Sequence, residues 1–393
     1  MEYQKLLSKK AAELKPSGIR KFFDIASQID GIISLGVGEP DFKTPWNIRS
    51  KAIKTLERGK TVYTANGGLI ELRREISSYL QRRFNVNYHP EDEIVVTVGG
   101  SEAIDMCIRS LVNAGDEVII PEPCFVAYSP IVHLTGGVAV PVTTKASDNF
   151  KLTADALKEK ITEKTKLLIF PFPNNPTGAV MRRENLEEIA EVLRDTNILV
   201  LSDEIYAELT YNKNHVSIAE IDGMKERTIL VNGFSKAYSM TGWRLGYACG
   251  PSEIISLMTK VHQFAIMCAP TTSQYAAIEA LQNCDDDIQD MKDEYNTRRR
   301  FIVDSFNKLG LTCFEPEGAF YIFPSIKSTG LSSDSFCEKL LFSKKVAVVP
   351  GTAFGDSGEG YIRVSYSYSV KHITQAINRI AEFLIELKEE NNE

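Results

Sequence analysis

Between residues 93 and 264, short apolar runs alternate with amphipathic stretches, and this alternation constrains the fold more than any other feature of the chain. Residues 93–98, 117–121, 166–172, 198–202 and 228–232 read as strands, with 244–250 as a further candidate. The spacing predicts helices over 101–113, 183–195 and 252–264. Apolar strands separated by helices argue for an α/β layer with a mostly parallel central sheet. After about residue 285 the pattern changes. A charged helix over 286–309 precedes strand-like runs at 318–324, 346–349 and 361–365, and a final helix is expected over 371–389. A chain of 393 residues is too long for one simple core. The expected organisation is a large α/β domain over 46–285 and a smaller α+β domain built from 1–45 and 286–393. The tail from residue 388 onward is expected to fray.

Composition narrows the function classes. Hydrophobic residues make up 43% and charged residues 25%, ordinary for a globular protein. The net charge of −7 and the lack of a basic stripe give no support to nucleic-acid binding. The cluster Arg298-Arg299-Arg300 reads as a solvated helix face. Seven scattered cysteines, never spaced as CxxC, suggest neither a disulfide framework nor a zinc site, and no metal is expected. Met1 to Lys15 is polar and charged, unlike a secretory leader, and no apolar run is long enough for a membrane span. A cytoplasmic protein is expected.

Three strands end in polar groups of three different chemistries. The run Gly233-Phe234-Ser235-Lys236-Ala237-Tyr238-Ser239-Met240-Thr241-Gly242-Trp243-Arg244 follows 228–232. Lysine forms a Schiff base with an aldehyde, and burial lowers its pKa enough to make it a nucleophile and base. Arginine offers a fork of donors suited to phosphate. Asn174-Asn175-Pro176-Thr177-Gly178 follows 166–172, and Asp203-Glu204-Ile205-Tyr206 follows 198–202. Ligands of open α/β sheets bind beyond the carboxyl ends of strands. Taken singly, Lys236 reads as a solvated lysine, the Asn-Pro-Gly run as a turn and Asp203 as a helix cap. Together at one sheet edge they point to a cofactor.

These motifs, with Ser34-Leu35-Gly36-Val37-Gly38-Glu39-Pro40-Asp41-Phe42 and Tyr361-Ile362-Arg363-Val364-Ser365, make the chain resemble the fold-type I, class I aminotransferases along nearly its whole length. The resemblance implies pyridoxal 5'-phosphate as cofactor. Lys236 would carry its aldehyde and shuttle the proton. Asp203 would pair with the pyridine nitrogen, keeping the ring able to drain electrons. Tyr206 and Asn175 match the partners of the phenolate oxygen. Phe125 stands where an aromatic stacks on the ring, and many relatives carry tryptophan there. Gly100 and Ser101 open a helix, whose first amides bind anions well. With Ser235 and Arg244 they match the family's phosphate donors. Tyr63 matches a tyrosine that reaches the phosphate of a neighbouring subunit, which implies a homodimer; the residue alone also reads as a packed aromatic. Arg363 matches the arginine that grips the substrate's α-carboxylate. Asn175 is also placed near that carboxylate, and Gly38 matches a loop that closes over the substrate. Gly36-Val37-Gly38 lacks the third glycine of a dinucleotide loop.

The implied reaction is a ping-pong transfer of an amino group from an L-amino acid to a 2-oxo acid such as 2-oxoglutarate. Aspartate-specific relatives need a cation for the distal carboxylate. One subgroup carries a lysine at the position of Ser101, and serine stands here. Ser17 to Ala26 resembles an access segment of enzymes that accept aromatic amino acids, and Gly318-Ala319-Phe320-Tyr321 adds aromatic surface. An aromatic-accepting or broad enzyme is therefore expected. An aspartate aminotransferase and a carbon–sulfur β-lyase on the same fold are the alternatives. A regulatory module fused to a DNA-binding domain is disfavoured, because Arg20 and Phe22 stand so near the start and Lys236, Asp203 and Arg363 are all present.

Overall fold

The computed structural model describes residue 1 and residues 3–16 and 29–390. The strands among them are β1 (Ile33–Ser34), β2 (Ile94–Thr97), β3 (Glu117–Glu122), β4 (Val138–Thr143), β5 (Thr165–Phe170) and β6 (Leu199–Asp203). They continue with β7 (Thr228–Gly233), β8 (Gly246–Cys249), β9 (Tyr321–Ile322), β10 (Val346–Ala347), β11 (Val349–Pro350) and β12 (Ile362–Ser365). Seven form one sheet in the order β2-β8-β7-β6-β5-β3-β4. Only β8 runs against the rest, pairing antiparallel with both β2 and β7. The mostly parallel sheet of the sequence reading is present.

The residue pattern explains why. Every residue of β2, β7 and β8 is buried, as strands covered by helices on both faces must be. The helix Gly99–Leu111 buries Ala103, Ile104, Met106, Cys107 and Ile108 against one face of this sheet, beside Val95, Val231 and Ala248. On the other face, Ile76 and Leu80 of helix Ile70–Phe84 pack with Leu230 and Tyr247.

A second core lies around the small strands. β1 pairs with β10, and β11, β12 and β9 form an antiparallel sheet. Ile33 and Leu35 share this core with Phe306 of helix Asp285–Lys308 and Ile373 and Ile380 of helix Val370–Glu390. Tyr206, Leu209 and Tyr211 enter it from beyond β6. It is here that the two sheets meet.

Several details differ from the sequence reading. Arg298 and Arg299 are not a solvated face: they are buried and paired with Asp41, Glu294 and Glu315. β4 was absent from it because this strand lies at the sheet edge, half exposed and carrying Pro141. The expected strand over 346–349 is two strands, because the chain leaves β1 for β12 at Val348. The expected 318–324 run is a strand only at Tyr321–Ile322, with Gly318 in a single bridge to Thr210. Helices Trp46–Glu57, Ile70–Phe84, Tyr128–Thr135, Thr271–Asn283 and Ser333–Lys344 are additional elements.

Candidate active site

The parallel strands deliver their carboxyl ends to one edge of the large sheet, and the side chains that follow them line a cavity of 430 Å³. Asp203 closes β6, and Ser235 and Lys236 follow β7. Asn175 follows β5, and Phe125 follows β3. Gly100 and Ser101 lie in the first turn of the helix after β2. Arg244 precedes β8, whose reversed direction brings its amino end to the same edge. Gly38 and Arg363 reach in from the segment after β1 and from β12. All of these line the cavity. Tyr63 does not: it is 78% exposed and is no packed aromatic of this chain.

Lys236 Nζ donates to the carbonyl of Gly38 at 2.6 Å and stands 5.7 Å from the Tyr206 ring centre. Burial lowers its pKa to about 8, with Glu39 opposing and Arg363 and Arg244 adding to the drop. An amine there is a usable nucleophile near neutral pH. Asp203 is buried, and burial pushes its carboxyl above the usual range. The Tyr128 hydroxyl donates to its Oδ2 at 2.7 Å and the Ile205 amide to its Oδ1 at 3.2 Å, both pulling the other way. A buried carboxylate facing a cavity favours a cationic partner.

Arg363 is 3% exposed. Its Nη1 donates to Asn175 Oδ1 at 2.9 Å and its Nη2 to the Gly36 carbonyl at 2.5 Å. The guanidinium lies 4.5 Å from the Tyr321 ring centre and 4.8 Å from that of Phe354. Burial lowers its pKa, and its Nε has no hydrogen-bond partner among the described residues.

The anion end is built from backbone. The first amides of helix Gly99–Leu111 have no partner within the helix, and Gly100 and Ser101 of this first turn line the cavity. Gly246 lets the helix start approach: a Cβ there would sit 2.6 Å from the Gly100 amide nitrogen.

Sequence reasoning gave no role to Tyr128, Glu39 and Thr241, which also line the cavity, as does Tyr321, read there only as aromatic surface. Tyr128 had a signal, three residues after Phe125, and the two rings meet edge to face at 5.6 Å. The access segment read over 17–26 lies outside the described residues.

A model of the class I and II aminotransferase family matches residues 30–380. The chain belongs to this family. A putative aminotransferase, YugH, of Bacillus subtilis is 55% identical over 96% of this chain and 98% of its own. An aspartate aminotransferase of Pyrococcus abyssi is 46% identical over 95% and 97%. The crystal structure of an aromatic aminotransferase from Pyrococcus horikoshii superposes with a TM-score of 0.90 at 44% identity, covering 93% of this chain and 99% of that one. This aminotransferase therefore catalyses amino-group transfer on small molecules. No helix among its described residues is long and apolar enough to cross a membrane.

The family's cofactor, pyridoxal phosphate, can be tested against the residues present. A depressed lysine amine, a buried carboxylate, unpaired helix amides beside Arg244, and the Phe125 ring all face one cavity. They match an aldehyde, a ring nitrogen, a phosphate and an aromatic face in turn, so the residues fit the group.

Proposed function

We propose that this aminotransferase holds pyridoxal 5'-phosphate on Lys236 and moves an amino group from an aromatic or broad range of L-amino acids to a 2-oxo acid such as 2-oxoglutarate. The observation that carries this reading is the convergence of Lys236, Asp203 and Arg363 on one 430 Å³ cavity. When bound, the cofactor supplies an aldehyde and an electron-withdrawing ring.

The chain's own residues divide the rest of the work. Arg363 holds the substrate carboxylate with its fork, helped by Asn175. Lys236 removes and returns the proton at the α-carbon. Asp203 offers a negative charge to the ring nitrogen. Tyr206 and Asn175 hold the ring oxygen, and Phe125 covers the ring face. Gly100, Ser101, Ser235 and Arg244 hold the phosphate. Gly38 lies over the substrate, and the unit formed by 1–45 and 286–393 closes on the 46–285 unit.

The substrate side chain meets apolar surface. Val37, Ile104, Ile205 and Tyr321 line the cavity, and its cations among the described residues are Lys236, Arg244 and Arg363, each with a task already. The remaining acid, Glu39, does not attract a distal carboxylate. This supports aromatic or broad acceptance over aspartate, although the Pyrococcus abyssi relative is named an aspartate aminotransferase.

The proposed assembly is a homodimer in which Tyr63 reaches the partner's phosphate. Val62 and Tyr63 are 74% and 78% exposed; the Val62 carbonyl accepts from Thr271, and the nearby Asn66 donates to the carbonyl of Met267, in the segment with the exposed Phe264 and Ile266. Such an apolar patch favours a protein contact. Seven unpaired cysteines agree with a reducing cytoplasm.

A donor panel with 2-oxoglutarate tests the substrate class. Phenylalanine and tyrosine should turn over at least as well as aspartate. Aspartate preferred by orders of magnitude, or pyruvate released from cystathionine without an oxo acid, would contradict it.

A further inference from the structure

Tyr321 lines the cavity and stands between two groups with different tasks. Its hydroxyl lies 2.7 Å from that of Tyr206, and its ring centre 4.5 Å from the Arg363 guanidinium carbon. Both tyrosines are buried, at 1% and 4% exposure. We propose that Tyr321 is a positioning residue that directs the Tyr206 hydroxyl towards the cofactor and the Arg363 fork towards the substrate carboxylate. The inference deepens the function proposed above and rests on it.

The strand register supplies the geometry. Tyr321 on β9 pairs with Ser365 on β12, and Arg363 is two residues before Ser365 on the same face. Ring and guanidinium are therefore diagonal neighbours across the pair. Tyr206 comes from the large sheet, so the hydroxyl contact spans the two sheets.

The two hydroxyls lie 2.7 Å apart, and either can donate. In the proposed arrangement the Tyr321 hydroxyl donates to that of Tyr206, which leaves the Tyr206 proton for the cavity. The same hydroxyl leaves no room for a side chain on the loop above. A Cβ at Gly38 would lie 2.1 Å from it, and the Gly38 carbonyl is the acceptor of the Lys236 amine. The other titratable groups around this contact are Asp203, Lys236, Arg363, Arg244, Glu39, Tyr128, Tyr295 and Tyr368, and the variants below keep all of them.

The test uses the cofactor-loaded enzyme without substrate and titrates its visible absorbance with pH. A donor to the ring oxygen favours the form that has lost its proton, so losing that donor moves the midpoint up. Tyr321→Phe should raise it by roughly half a unit to one unit, the effect of one net hydrogen bond. Tyr206→Phe should raise it further, and adding Tyr321→Phe to Tyr206→Phe should change nothing more. The ring is tested with 3-phenylpropanoate, a carboxylate that cannot react. Tyr321→Leu should weaken its binding about threefold to thirtyfold, the range of a buried cation–π contact, while Tyr321→Phe should leave it within about twofold. An unmoved midpoint in Tyr321→Phe, additive shifts in the double variant, or unchanged binding in Tyr321→Leu would overturn the role of Tyr321 alone. A wild-type protein without a visible cofactor band would overturn the function beneath it as well.

Discussion

Lys236 is chemically an ordinary lysine, and its surroundings make it reactive. Burial brings its pKa down to about 8, and Arg363 and Arg244 press the same way. The folded-state value lies below that of an unfolded lysine, so protonating this amine costs stability as pH falls through about 8. In the cofactor-free enzyme, the rate at which borohydride traps pyridoxal phosphate on residue 236 should rise about tenfold from pH 7 to 9 and then level. A rate that still climbs steeply above pH 10, as for a free lysine, would contradict the desolvated amine. Much of the site was legible at this scale. Lys236, Asp203 and Asn175 stand in short polar motifs just after strands, a pattern readable along the chain, whereas Arg363 was singled out by the family resemblance alone. Tyr128 and Tyr321 were not legible as partners. Their hydroxyl contacts, to Asp203 and Tyr206, span 75 and 115 residues and depend on how rings pack.

The elements bring these residues together through strand direction. Six strands of the large sheet point one way, five of them followed by site residues, and the reversed β8 carries Arg244 to the same edge. A close junction joins β8 to the start of helix Gly99–Leu111, where a Cβ on Gly246 would lie 2.6 Å from backbone atoms of both Gly99 and Gly100. Gly246→Ala should push that helix start away from the phosphate. Affinity of the cofactor-free variant for pyridoxal phosphate, measured by equilibrium dialysis, should drop about tenfold, the effect of overpacking by roughly 1–3 kcal/mol. Wild-type affinity in this variant would show that the junction yields freely. The strands buried on both faces were readable as continuous apolar runs. β4 was not, because an edge strand with a proline lacks that signal, and neither was the partner change at Val348, which the apolar run Val346-Ala347-Val348-Val349 conceals.

At the scale of the whole molecule, two sheets meet over the cavity through Tyr206, Tyr321 and the Gly38 loop. The change of pattern near residue 285 foreshadowed the second core. The part played by Ile33 and Leu35 in it was less visible, since these residues pair with β10 more than 300 positions away. The exposed Val62, Tyr63 and Phe264 make a further expectation. Sedimentation should give about twice the 43.9 kDa chain mass, and a stable monomer with full activity would contradict the shared site. The most direct test of the central claim is to reduce the purified, cofactor-loaded enzyme with borohydride and map its peptides by mass spectrometry. The account expects one pyridoxyl group on each chain, attached at Lys236. A label on another lysine, or no label on a protein that still transaminates, would contradict it.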